Sequence, residues 1–421
     1  MSDTANSAAQ KVVEEATPRT LKGLRIIDWT IRQTGPSATQ LLADLGAEVI
    51  KVEIPAGGDS HRGATKNTEK WTTLSHGLPY GFEILNRNKK SVTIDLSKEA
   101  GKKILYSLIT NADVFVQNFR YGVAKKLGVD YDTLKQHNPA LIYANCTGYG
   151  TKGKQASQPA LDAAINAASG LMLGIGEAGQ SPVHLPGAIS DQITGIMLAY
   201  GIMAAIFYRE RTGIGQELDV SMLGTMIWVQ TNNIMVTLLT KKSRERQVRA
   251  KASNPLVNHY CCRDGRWILL SHFQPQKYWP ILCRVMGLGD LANDPRFATL
   301  KAREENCAEL IAIIDEVFSQ KTGDEWLAIF ANENLIYSPI KDYWEVVNDP
   351  QVLENDYITE YDHPALGSLK EIGIPVHLSK TPGSIREPAP QLGQHTEEVL
   401  VDMLGYTWEE VKMLRDQGVI L

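Results

Sequence analysis

The chain has 421 residues, of which 43% are apolar and 22% charged, and its formal net charge is −5. This length exceeds what one hydrophobic core usually serves, so it predicts two domains of an ordinary globular protein. The weak negative charge produces no field that would attract nucleic acid or a membrane surface, and neither is expected as a partner.

The first 20 residues are polar and rich in alanine, which predicts a flexible arm. They lack the basic start and apolar block of a secretory signal. No window reaches the roughly 18 uninterrupted apolar residues of a membrane span, so we expect a cytoplasmic protein. The five cysteines show no paired metal-site spacing, which predicts reduced thiols and no metal.

Strands and helices alternate from residue 21 onward. LKGLRIIDWT predicts a strand, SATQLLADLGA a helix and EVIKVE a second strand, which together form a β-α-β unit. The alternation continues through KSVTIDLS, KEAGKKILYSLITNA, DVFVQNF, GVAKKLGVDYDTLKQHNP and ALIYANCTGYG. It predicts an α/β fold with a doubly wound parallel sheet, whose ligands bind at the carboxyl ends of the strands.

The second half of the chain changes character. SDQITGIMLAYGIMAAIFYRERTGIGQ predicts a long buried helix, and a smaller α+β domain is expected from about residue 240. In that domain NHYCCRDGRWILLSHF predicts a hairpin with its turn at Asp264 and Gly265. The last 30 or so residues predict two short amphipathic helices.

One carboxylate, Asp162, stands among small and apolar residues in SQPALDAAINAASG. Two interpretations are open from the residues alone. Asp162 precedes a helical pattern, where it would cap the helix by accepting backbone N–H bonds, and spacing favours this role. It also follows a glycine-rich strand end by about a dozen residues, which places it near the predicted ligand crevice.

Several stretches resemble, in order and spacing, the class III CoA-transferases, the family of formyl-CoA transferase and carnitine CoA-transferase. They are LKGLRIIDWT…TGPSATQLLADLGAEVIKVE, NRNKKSVTIDLS, DVFVQNF, NPALIYANCTGYG, RERTGIGQELDVSM and LGQHTEEVL. In that family an aspartate after the Gly-Tyr-Gly-like strand end is the nucleophile, and Asp162 falls on that position. The resemblance implies CoA transfer between acids through an aspartyl anhydride and an aspartyl-CoA thioester, with CoA thioesters as substrates and no permanently bound cofactor.

The resemblance also implies positions that contact CoA. Gln33 and Thr34 lie in the first strand-end loop, and Lys126 stands where an arginine often binds phosphate. Ile54 replaces a family arginine, so phosphate charge is expected from Arg62, Arg87 or Lys98. The remaining implied positions are Asn118, Phe119, Leu127, Gly148 and Tyr149.

Two alternatives remain beside the transferase. In the α-methylacyl-CoA racemases, which resemble the same pattern, a histidine precedes the aspartate, but Leu161 stands here. Asp191 matches the second racemase acid, and one base cannot serve both faces of a carbon. His184, the nearest other histidine, is some twenty residues away. The third possibility is a non-catalytic partner subunit.

The resemblance further implies domain bounds and substrates. It predicts an arm at 1–20, a large domain at 21–225, a linker at 226–240, a small domain at 241–345 and a segment at 346–421 that returns to the large domain. It implies an interlocked homodimer, or a heteromer with a related subunit. The region LSHFQPQKYW lacks the four-glycine run of the formyl-CoA branch, which favours an acid larger than oxalate. We expect an acid with a bulky or aromatic body or a dicarboxylate such as a substituted succinate, with succinyl-CoA as donor.

Overall fold

The computed structural model describes residues 18–63 and 79–421, so most of the predicted arm lies outside the described residues. The described chain divides into two compact units. The larger contains residues 18–63, 79–172, 184–241 and 355–421, and the smaller contains residues 173–183 and 242–354. Residues 355–421 belong to the larger unit, whereas residues 346–354 fall in the smaller one.

The larger unit is built on a six-stranded parallel sheet in the order β3-β2-β1-β4-β5-β6. In this order the chain winds outward in one direction and then in the other, so the sheet reverses between β1 and β4. The strands are β1 Arg25–Trp29, β2 Glu48–Glu53, β3 Lys89–Thr93, β4 Val114–Gln117, β5 Ile142–Thr147 and β6 Glu217–Ser221.

Helices follow the strands as the alternation predicted. Up to residue 240 they are α1 Thr34–Asp44, α2 Ser60–Gly63, α3 Tyr80–Asn86, α4 Glu99–Thr110, α5 Val123–Leu127, α6 Tyr131–Leu134, α7 Asp162–Ala168, α8 Leu171–Gly174, α9 Ile189–Thr212, α10 Met222–Val229 and α11 Thr231–Thr240. The expected linker at 226–240 is thus helical and lies in the larger unit, because its apolar residues continue the helical pattern of α10.

The smaller unit has its own core and an α+β arrangement. Its antiparallel strands, in the order β7-β8-β9, include the predicted hairpin. The strands are β7 Val257–Cys261, β8 Trp267–Ser271 and β9 Tyr337–Pro339, and the helices are α12 Pro275–Val285, α13 Leu300–Glu305, α14 Cys307–Phe318, α15 Gly323–Ala331, α16 Tyr343–Val347 and α17 Pro350–Glu354. Two 3-10 turns lie at Arg249–Lys251 and Gly289–Ala292.

The C-terminal segment begins with a hairpin of β10 Ile358–His363 and β11 Gly367–Ile372. It ends with α18 Thr396–Glu398, a π-helical turn at Val399–Met403 and α19 Trp408–Asp416. The sequence analysis predicted the terminal helices but not the hairpin. The burial of both hairpin strands is only partial, so no continuous apolar run marks them.

Both faces of the parallel sheet are covered, as a doubly wound fold requires. Neighbouring residues of β1 show this: Ile26 packs into a cluster shared with α1 and α9, whereas Ile27 packs into one shared with α4 and the C-terminal segment. The free cysteines agree with the predicted reduced thiols. By length and hydropathy α9 could span a membrane, but one face of it packs on α1 and the sheet.

Candidate active site

Asp162 is the first residue of α7, and its carboxylate is held by groups from another helix. Its Oδ1 accepts hydrogen bonds from the backbone N and the Oγ of Ser190, at 2.7 and 2.6 Å, and from the backbone N of Asp191 at 3.3 Å. Its Oδ2 accepts a bond from Asn166 Nδ2 at 2.7 Å. The carboxylate is half-buried at the surface of the larger unit.

The predicted capping role of Asp162 therefore needs correction. Leu161, not Asp162, is the N-cap residue of α7, and no side chain caps that helix. Asp162 instead accepts the N–H groups of the first turn of α9, which has 24 residues. A helix N-terminus presents unsatisfied N–H groups and a positive partial charge, so it is a suitable place to hold a carboxylate.

Ser190 and Asn166 were missed as site residues in the sequence. Both are buried, and each directs a side-chain polar group to the Asp162 carboxylate. Asn166 lies four residues after Asp162 on the same helix, a spacing that brings side chains together and could have signalled the contact. Ser190 comes from a distant part of the sequence, and no local pattern connects it to Asp162.

Asp191 lies beside this carboxylate and contacts a predicted CoA-binding residue. The buried hydroxyl of Thr34 donates a hydrogen bond to Asp191 Oδ1. Burial raises the pKa of Asp191 to about 6, and the charge of Asp162 adds to the rise, while the Thr34 hydrogen bond and Arg32 oppose it. Asp191, which in the sequence stood out only as a match to the second racemase acid, thus lies next to the predicted nucleophile.

Side chains from the segments that follow β2 and β4 hold the loop after β1 through hydrogen bonds to its backbone. Asn118, after β4, accepts the N–H of Ile31 at 2.9 Å and donates to its carbonyl at 2.8 Å. Asp59, after β2, accepts the N–H of Arg32 at 2.9 Å. These bonds place Gln33 and Thr34 at the start of α1, in the crevice where parallel sheets bind ligands.

Gly148 and Tyr149 position the segment before Asp162. A Cβ on Gly148 would overlap the Cβ of Ala160, so only glycine permits this approach of the chain. Tyr149 packs against a small apolar cluster that contains Ile165 of α7. The structure thus brings both residues close to Asp162 in the fold, and it gives each a packing role.

Three cations expected to supply phosphate charge are already engaged. Arg62 pairs with Glu53 at 2.7 Å, and the buried Arg87 pairs with Asp44 at 2.8 Å. Lys98 Nζ donates to two carbonyls at the C-terminus, those of Gln417 and Gly418. A phosphate would have to displace these partners, so CoA binding by any of the three residues stays a prediction.

The remaining predicted CoA positions form a mixed group. Lys126 is exposed on α5, and a phosphate could reach it without displacing a buried contact. Phe119 stacks on Trp29 with ring centroids 4.1 Å apart, and Leu127 packs on the same apolar cluster. Phe119 and Leu127 are thus half-buried packing residues in this structure.

Neither Leu161 nor His184 forms, with Asp162, the pair of bases that a racemase uses. Leu161 is exposed and supplies no base, and His184 is exposed with no hydrogen bond to Asp162 among the described residues. Within residues 18–63 and 79–421, no group of three or more His, Cys, Asp or Glu could hold a metal ion.

Comparison with known proteins identifies the class. A profile of CoA-transferase family III matches residues 21–396. Succinyl-CoA:glutarate CoA-transferase of Mus musculus is 33% identical over 403 residues, which span 95% of this chain and 90% of that enzyme. (R)-2-hydroxy-4-methylpentanoate CoA-transferase of Clostridioides difficile is 32% identical, over 95% of this chain and 99% of that enzyme.

A solved structure agrees. A CAIB/BAIF family protein from Brucella suis matches with a TM-score of 0.81 and 30% identity, over 91% of this chain and 99% of that one. The fold and the sequence thus define a CoA-transferase. The chain belongs to CoA-transferase family III, as the resemblance in the sequence implied.

Proposed function

We propose that this protein transfers CoA from an acyl-CoA donor to a carboxylic acid, with Asp162 as the nucleophile. The observation that carries the proposal is the half-buried carboxylate at the N-terminus of α9, held by Ser190, Asp191 and Asn166. These bonds fix the carboxylate in one orientation, which a nucleophile needs in order to reach a bound thioester.

The reaction divides into two symmetrical halves. Asp162 Oδ2 attacks the acyl-CoA carbonyl and expels CoA thiolate, which leaves an acyl-aspartyl anhydride. The thiolate then attacks Cγ of Asp162 and expels the donor acid as its carboxylate, which leaves an aspartyl-CoA thioester. The acceptor carboxylate attacks Cγ of that thioester and expels CoA thiolate, which leaves an acceptor-aspartyl anhydride. The thiolate then attacks the acceptor carbonyl and expels Asp162 as its carboxylate, so the acceptor acyl-CoA forms with no net proton change.

The hydrogen bonds support a division of labour between the two oxygens. Oδ1 accepts three bonds, whereas Oδ2 accepts one and is the less encumbered oxygen for attack. When thiolate attacks Cγ, negative charge collects on Oδ1. The N–H groups of Ser190 and Asp191 then act as oxyanion donors, each worth about 3 kcal/mol in related acyl transfers.

The choice of acid substrates has less direct support than the choice of nucleophile. Relatives of nearly equal identity are named for glutarate and for a branched hydroxy acid, so identity does not select between them. The missing four-glycine run favours an acceptor larger than oxalate. The name of the Mus musculus relative supports succinyl-CoA as the donor. An aromatic acid or a substituted succinate fits this description.

A second copy of the chain is part of the proposal. The outer sides of α9 to α11 expose large apolar side chains, which isolated soluble domains usually avoid. Tyr200 is 70% exposed, Trp228 67% and Leu239 76%. A second chain packed on this surface would cover them, as an interlocked homodimer or as a heteromer with a related subunit.

The test is to trap the intermediate. The protein is incubated with succinyl-CoA or butyryl-CoA, treated with hydroxylamine or borohydride, digested and analysed by mass spectrometry. We expect a modification on Asp162 in the wild type and none in Asp162→Asn, with turnover reduced by roughly 10³-fold or more. The control Asp132→Asn removes a carboxylate that is 82% exposed, and it should retain the modification.

The contrary results are also informative. A modification at another carboxylate would contradict the assignment of Asp162. No modification with either donor, together with exchange of the α-proton of the acyl-CoA in deuterated water, would favour a racemase. No modification and no exchange would favour a partner subunit that needs a second chain.

A further inference from the structure

Arg32 occupies an unusual backbone position at the reversal of the sheet. Its φ is +64°, in the left-handed region that side chains other than glycine rarely adopt. This conformation costs about 1 kcal/mol or more, so the surroundings must impose it. The residue lies in the loop after β1, two positions before Thr34.

Buried groups impose this conformation. The N–H of Arg32 donates to Asp59, and Asn118 binds both backbone groups of Ile31 next to it. Asp59 in turn pairs with Lys51 at 3.0 Å, and both side chains are fully buried. Lys51 Nζ also donates to the carbonyl of Thr30 at 2.8 Å, so the loop is held rigidly before any ligand arrives.

The side chain of Arg32 has no such partner. It is exposed, and among residues 18–63 and 79–421 its guanidinium forms no hydrogen bond or ion pair. Its charge nevertheless acts on Asp191, where it lowers the pKa that burial raises. Through Thr34 and Asp191, the loop that carries this cation connects to the hydrogen bonds around Asp162.

We propose that Arg32 binds the second carboxylate of an aliphatic dicarboxylic acid whose first carboxylate reacts at Asp162. This inference rests on the proposed function and names its substrate class. A guanidinium presents paired N–H donors that match the two oxygens of a carboxylate, and a rigid loop loses little entropy on binding. The charge of Arg32 acts on Asp191, which lies beside Asp162. Arg32 is therefore better placed to bind the substrate near its reacting end than to bind the distant phosphates of CoA.

The test compares two acceptors of the same length, glutarate and pentanoate. The aspartyl-CoA intermediate is formed with butyryl-CoA or succinyl-CoA, and its discharge by each acid is followed by rapid quench. In Arg32→Gln the half-saturating concentration of glutarate should rise by roughly 10- to 100-fold, as for loss of a charge-assisted bond, and that of pentanoate by less than about twofold. Arg32→Lys should recover part of the loss.

The failures are distinguishable. A trapped intermediate with equal weakening of both acids, or with no weakening, overturns the role of Arg32 and leaves Asp162 as the nucleophile. A higher half-saturating concentration of butyryl-CoA in Arg32→Gln, with glutarate unaffected, assigns the cation to CoA phosphate and also overturns it. No intermediate in the wild type overturns both proposals. Arg32→Gly, which accepts a positive φ without strain, should show the same acid selectivity as Arg32→Gln.

Discussion

At the residue scale, Asp191 combines a function with a cost in stability. Its backbone N–H helps to hold Asp162, while its own carboxyl is buried beside that charge. A buried carboxyl with one hydrogen bond is more stable protonated, because desolvation penalises the charged form. The position therefore stabilises the fold less at neutral pH than an uncharged residue of the same shape would.

Asp191→Asn should increase the free energy of unfolding above pH 6. The native carboxyl, with a pKa of about 6, keeps its proton where an unfolded carboxyl near 3.8 has lost it, so wild-type stability falls as pH rises between those values. Asparagine removes this loss, which is at most about 3 kcal/mol, and its side-chain oxygen can still accept from Thr34.

Urea unfolding at pH 4 and at pH 7.5 measures the effect. The gain of Asp191→Asn over the wild type should be small at pH 4 and close to its full value at pH 7.5. The exposed Asp132→Asn serves as control and should show no comparable gain at pH 7.5. An equal gain at both pH values would show that Asp191 does not titrate as inferred.

At the element scale, α1 and α9 approach closely where they carry site residues. A Cβ at Gly195 of α9 would overlap Ser37 Oγ of α1, so glycine sets the separation of the two helices. The start of α9 holds Asp162, and the start of α1 carries Thr34. The contact between Thr34 and Asp191 therefore depends on how closely these helices pack.

Gly195→Ala should destabilise the protein by about 1–3 kcal/mol through overpacking, and it should lower turnover as α9 moves away from α1. The matched control is Gly201→Ala on the same helix, whose Cβ would meet Leu218 Cδ1 at 3.3 Å and Val220 Cγ2 at 3.8 Å, both at the ends of side chains. That change should be neutral or stabilise by up to about 1 kcal/mol, because alanine favours the helix. Urea unfolding and steady-state turnover measure both, and equal behaviour would refute the close-packing role.

Elements with continuous apolar runs were predictable. EVIKVE coincides with β2, and β1, β4 and β5 fall within their predicted stretches, while β3 begins one residue before its own. These strands were found because each is buried on both faces. By contrast β6 was missed, since it pairs with β5 alone and is partly exposed along its length. The long helix α9 was expected to be buried, yet residues 18–63 and 79–421 cover only one side of it.

At the scale of the whole molecule, the C-terminal segment completes the core of the larger unit. Leu400 and Val411 pack into the cluster formed by β1 to β5 and α4. Hydrogen bonds tie the end of the chain to the residues around the end of β3: Asp95 N donates to the Val419 carbonyl at 2.8 Å, and Leu421 N donates to Thr93 Oγ1 at 3.0 Å. The core of the larger unit therefore combines β1 to β5 with the C-terminal segment.

Leu400→Ala should lower the free energy of unfolding by about 2–5 kcal/mol, because the fully buried side chain would leave a cavity. The control Trp408→Ala, in the same segment, removes a side chain that is 62% exposed and should change stability by about 0.5 kcal/mol or less. Chemical denaturation of both variants measures the difference. Similar values would mean that the segment does not complete the core.

The amino-acid sequence by itself determined the alternation of strands and helices, the parallel sheet, the family and the candidate nucleophile. These depend on local apolar periodicity and on short stretches that lie in a fixed order. Asp162 was identifiable because a carboxylate among small apolar residues stands out along the chain.

Only the tertiary structure decided what surrounds that carboxylate. Ser190 is 28 residues away from Asp162, and Thr34 is 157 residues away from Asp191. Arg62 and Arg87 look in the sequence like available cations, but folding pairs them with Glu53 and Asp44. Arg32 differs: in the sequence it is an ordinary loop residue, but in the structure its guanidinium is exposed. Buried groups distant in the sequence hold the backbone conformation that exposes it. Such long-range contacts have no local signature, because they form only when separate elements pack together.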